Sequence, residues 1–173
     1  MPNTRRLTTL SLLTAVALIM FIIESQLPPL TAIPGIKLGL SNVITLVAMY
    51  LLGPGNALLV LLVRVVLGGI VTGQVGAIAY SFAGGVLSFL VLLLLRRVIS
   101  LRQLWVISIF CAIAHNFGQI LVAVWMTETP ELLWYGFILT ISGIVTGLFT
   151  GLAAQAVLTH LAKAAPDRFH FEK

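Results

Sequence analysis

From Leu7 to Leu161 the chain is a succession of apolar runs, at 7–23, 38–52, 55–73, 76–95, 104–126 and 132–161, separated by short polar or glycine-rich joints. This repeated pattern constrains the fold more than any motif. A bilayer core about 30 Å thick takes roughly 20 apolar helical residues per crossing, and in lipid only helices or closed barrels satisfy their own backbone. Charged residues are 9% of the 173, which is too few to cover a soluble globule of that size. The expected fold is all-α: a polytopic membrane protein with six transmembrane helices, in a single integral membrane domain over 1–173. The second run is the shortest and ends at an uncharged turn, Gly53-Pro54-Gly55-Asn56.

The basic residues sit at the ends of the runs, so the net charge of +5 is a topology signal and not a nucleic-acid footprint. Arg5 and Arg6 precede the first run, Arg96, Arg97 and Arg102 lie between the fourth and fifth, and Lys163, Arg168 and Lys173 follow the sixth. Lys and Arg are retained on the cytoplasmic side, and only an even number of spans puts all three groups there. The expected localisation is a bacterial cytoplasmic (inner) membrane, with the N-terminus (about 1–6) and the C-terminal tail (about 162–173) cytoplasmic. The first run resembles a signal peptide but continues to Ile23 and meets Glu24 without a small-residue cleavage pattern, so it reads as a span. Trp125, Trp134 and Tyr135 form an aromatic belt at the outer end of the last two spans.

The joint from Glu24 to Lys37 is different in kind. Pro28, Pro29, Pro34 and Gly35 dictate a particular backbone path, because proline fixes φ and glycine permits positive φ. A structured outer loop over about 24–37 is expected, and a binding one.

Polar groups inside apolar runs need a physical reason. Arg64 stands at the centre of 55–73, where a charge demands a partner or a water-filled cavity and is by default a functional candidate; its structural reading is a pairing with Glu24 or with carbonyls. Cys111, His115 and Gln119 recur at every fourth residue and share one helix face, with Asn116 beside them. His115 has three readings: proton carrier, ligand contact or satisfied structural histidine. Lys37 and Asn42 open the second run directly after the shaped loop. Lys37, Arg64 and His115 against the one carboxylate Glu24 favour an anionic ligand, with Asn42, Asn116 and Gln119 orienting it. Gly143, Gly147 and Gly151 form a stripe in the last run, and Ser11 and Ala15 a small-residue pair in the first. Each serves either packing inside the bundle or contact with a partner helix.

Catalytic and metal chemistry find little support. Diphosphate chemistry needs clustered carboxylates to hold Mg²⁺, and the five acidic residues are scattered. Neither a metal site nor a bound cofactor is expected, and no nucleotide-binding fingerprint is present, so pumping by this chain would need a separate ATPase.

The segments ESQLPPL, PGIKLGLSN, LVRVVLGG, YSFAGG and AHNFGQ resemble the heptaprenyl diphosphate synthase component I family, also called the Gx transporter family. That family is in turn similar to the S-components of energy-coupling factor vitamin transporters, six-helix membrane proteins whose outer loop after the first helix closes over a ligand. The resemblance implies that fold and uptake of a small vitamin-like, flavin-related or isoprenoid-related molecule. It further implies docking of helix one, through Ser11 and Ala15, to a coupling membrane subunit with its ATPases. It also links the chain to extracytoplasmic electron-transfer and flavinylation systems, in which it would be a membrane subunit that transports nothing.

Overall fold

The computed structural model describes residues 4–26 and 39–164. Six α-helices follow one another: α1 (Thr4–Gln26), α2 (Asn42–Leu52), α3 (Pro54–Val71), α4 (Gly76–Leu95), α5 (Leu104–Thr127) and α6 (Tyr135–Ala164), with 3-10 turns at Leu101–Gln103 and Pro130–Trp134. The described residues contain no strand. The expected all-α membrane architecture is therefore the observed one.

Local chemistry explains the joints. Gly53 at φ +81° makes a sharp turn, and Pro54 then starts α3, where its missing N–H costs nothing. Hydroxyls inside the helices do not stay orphaned in an apolar surrounding: Thr14, Thr72, Thr127 and Thr140 each bond back to the carbonyl four residues earlier, at 2.7–2.8 Å. Large apolar side chains such as Leu12, Ile70, Leu94 and Phe149 point out of the bundle. That is the expected outer surface of a protein whose solvent is hydrocarbon.

Five helices are long and apolar enough to cross a membrane, and α2 is not. Its 11 residues rise only about 16 Å, half a bilayer core. The second run thus supplies a half-helix. Because Gly53 joins α2 and α3 at one level, the start of α2 and Arg64, about 15 Å along α3, lie at the same height. That height is the middle of α3.

Neighbouring helices alternate in direction, as their contacts show. Gly69 meets Ile78, Gly85 meets Leu61, Gly118 meets Ala83 and Gly84, and Gly151 meets Trp105. Thr4 and Ala164 therefore share one end of the bundle. The core is largest toward that end, around Ala17, Leu46, Met49, Val60, Leu104 and Leu158.

The glycine stripe of α6 is spent inside the chain. A Cβ on Gly147 would lie 2.6 Å from the Ile109 Cα, and one on Gly151 2.5 Å from the Trp105 Cα, while Gly143 faces Asn116 and Ala112. Within this chain the partner helix of Gly143, Gly147 and Gly151 is α5. Ser11 and Ala15 are the opposite case: both are exposed on α1.

Candidate functional site

Arg64 is buried, 3% exposed, and does not face lipid. Its guanidinium donates to the Ser41 hydroxyl through Nη1 and to Asn42 Oδ1 through Nη2 at 3.3 Å. The charge lies 6.0 Å from the centroid of the Phe21 ring, on α1. Gly68, one turn beyond Arg64, makes that approach feasible, because a Cβ there would stand 2.5 Å from the Phe21 ring. Glu24, one turn beyond Phe21, is buried as well and accepts the Gly39 N–H. Glu24 and Arg64 are within electrostatic range of each other.

These contacts share one cause. The chain turns at residues 39–41 before α2 begins, and the polar groups of a turn buried among helices must be satisfied by protein groups. Gly39, at φ +78°, allows the turn. Its N–H goes to Glu24, and Ser41 and Asn42 hold the guanidinium. The first amides of α2 are satisfied by the turn itself: Asn42, Val43 and Ile44 donate to the carbonyls of Gly39, Leu40 and Ser41 at 2.8–3.3 Å.

The polar stripe of α5 is divided between two neighbours. His115 and Gln119 lie against Gly84 of α4, where an added Cβ would be 3.1 Å from His115 Cε1 and 2.9 Å from Gln119 Cγ. Cys111 meets Ser88 of the same helix. Asn116 turns instead to α6 and donates to the Leu139 carbonyl at 2.8 Å. His115 is within electrostatic range of Arg64, and its Nδ1 has no hydrogen-bond partner among the described residues.

The structure thus joins Arg64 to Asn42 and sets Glu24 against Gly39 nearby, places His115 and Gln119 against α4, and commits the Asn116 amide to packing. Lys37 and most of the 24–37 loop lie outside the described residues. Next to Asn42 lies a cavity of about 20 Å³ that Arg64 itself does not line. Sequence reasoning passed over Ser41 and Phe21, which hold the guanidinium, and Thr45, Ser88, Ser108 and Thr150, which line this cavity. A signal existed for Thr45, which follows Asn42 by three residues and so shares its helix face. The others are contacts between helices, invisible to spacing within one.

The chain belongs to the heptaprenyl diphosphate synthase component I family, whose model matches residues 13–157. No curated protein and no solved structure matches it.

Proposed function

We propose that this member of the heptaprenyl diphosphate synthase component I family is a substrate-binding transport protein of the S-component type. It takes up a small anionic or amphipathic cofactor precursor across the bacterial inner membrane, with both termini on the cytoplasmic side. The observation that carries the reading is the meeting of Arg64 with the start of the half-helix α2 at mid-depth. A guanidinium is costly among apolar membrane helices, and here it is buried against the first residues of α2, on Ser41 and Asn42. Arg64 and Lys37 would neutralise the acid group. Asn42, His115 and Gln119 would orient the rest, and the loop before α2 would exclude water. Energy would come from a separate ATPase pair and a coupling membrane subunit, docked on the exposed small-residue face of α1.

A second reading is favoured by the family's description and by that same exposed face. In it the chain transports nothing and serves as a membrane subunit of an isoprenoid, quinone or flavin-linked system. One experiment separates the two. The chain is purified in lipid nanodiscs, the small molecules retained are inventoried by mass spectrometry, and co-purifying proteins are identified. An acidic compound enriched over empty discs, together with ATPase and coupling subunits, supports uptake; a neutral quinone or prenyl compound with redox or prenyl-transfer enzymes supports the membrane-subunit reading.

A further inference from the structure

The cavity beside Asn42 runs between α2, α4, α5 and α6, and its polar wall consists of Asn42, Thr45, Ser88, Ser108, Cys111 and Thr150. Four hydroxyls, an amide and a thiol therefore converge on one space in a part of the molecule otherwise filled by leucine and valine. No charged side chain lines it.

The wall is not self-satisfied. Ser108 and Thr150 bond each other at 2.9 Å, and Thr150 also reaches the Thr146 carbonyl at 2.9 Å. Ser88 engages the Cys111 thiol. Asn42 accepts from Arg64 through its carbonyl oxygen, and its NH₂ group lies beside Gly39, which also lines the cavity. Thr45 is 6% exposed, and its hydroxyl has no hydrogen-bond partner among the described residues. Most helical threonines here bond back to their own helix, and Thr45 does not. A buried hydroxyl without a partner is costly, and in hydrocarbon bulk water cannot relieve it.

Size and chemistry then select the occupant. About 20 Å³ exceeds the roughly 10–15 Å³ that one water needs, and a buried water requires two to four polar partners. An anion has no counter-charge in the wall, and a cation would meet the nearby Arg64 without a carboxylate to hold it. We propose that this cavity is a binding place for a single uncharged oxygen, held by an exchangeable water in the resting protein. It forms the neutral, deep end of the site whose charged mouth is Arg64. This deepens the uptake reading and rests on it for the role of Arg64: Asn42, whose oxygen accepts from the arginine, is the wall the two share. A substrate matched to both ends carries an acid group and, beyond it, a hydroxyl or carbonyl oxygen.

Cys111 is the single cysteine of the chain, so its S–H stretching band in the infrared is a built-in probe of the cavity. The full chain in lipid nanodiscs is transferred to D₂O, and water itself is the probe ligand. The proposal expects the S–H band to convert to S–D within minutes. It also expects Thr45→Val, which keeps the volume and removes the hydroxyl, to slow that conversion at least several-fold and to shift the band. Should Thr45→Val fold poorly, Ser88→Ala gives the same readout through the group bonded to the thiol. A thiol that stays S–H for hours, or a Thr45→Val chain whose exchange equals wild type while its thermal midpoint rises, overturns the proposal, because either marks a dry cavity. Those outcomes leave Arg64-dependent retention of an acidic compound untouched, so this inference and the uptake reading fail separately.

Discussion

The α5–α6 pair and the α1–α2–α3 junction solve the same problem, holding helices together without water, by opposite means. Along α5 and α6 the backbones nearly touch: the α6 glycines stand where any Cβ would collide with the Ile109 or Trp105 backbone. Lipid tails are as apolar as leucine, so close packing and a few interhelical hydrogen bonds carry such an interface. At the junction the helix is interrupted, a cation and a carboxylate are buried, and the contacts are polar and specific. The first region is built to stay closed. The second keeps charge and irregular backbone among apolar helices at a cost that packing alone does not justify, and the proposed binding site is placed there for that reason.

Substitutions sharpen this contrast. Arg64→Ala has the largest expected effect, since it removes the buried guanidinium that binds Ser41 and Asn42; hydrogen bonds to a charged group are worth about 1.5–3 kcal/mol each, read as a drop in the thermal midpoint in nanodiscs. If Arg64→Ala were as stable as wild type, the junction would not be held by charge. Gly147→Val tests the other region. Overpacking against a backbone that cannot yield costs about 1–3 kcal/mol and should loosen α5 from α6, seen as faster amide exchange in both helices while binding by the folded fraction persists. Loss of binding without loosening would mean the two regions are not separate.

The outcome of sequence reasoning divides along the same line. The six helices were legible because a hydrophobic run is a property of one segment, and the bounds of α4 and α5 fall within a residue of the apolar runs at 76–95 and 104–126. The half-length of α2 was less so: the apolar run over 38–52 begins before the helix, and Leu40 within it is apolar without being helical. Arg64 was legible as a charge where none is expected. Its partners Ser41 and Phe21 were not, because they come from other helices and only the fold places them. The α5 stripe shows the same limit, since spacing put Asn116 beside His115 but did not say that its amide turns to Leu139.

Smaller effects refine the account. Asn116→Ala removes the bond to the Leu139 carbonyl; interhelical hydrogen bonds of this kind average about 0.6 kcal/mol, so a slight fall in midpoint with unchanged ligand retention is expected. A large loss of retention would return Asn116 to the binding site. Ala15→Leu, on the exposed face of α1, should leave the midpoint within about 0.5 kcal/mol of wild type while abolishing co-purification of a coupling subunit. A midpoint shift of several degrees would instead make that face part of this chain's own packing.

The central claim is that the guanidinium at mid-membrane receives the acid group of a small molecule, and Arg64→Lys tests it most directly. The substitution keeps the positive charge beside Glu24 but loses the planar fork that holds Ser41 and Asn42. The measurement is the amount of acidic compound retained per folded protein in nanodiscs, wild type against variant. The account predicts a loss of at least tenfold at nearly equal helix content; retention at the wild-type level would contradict it.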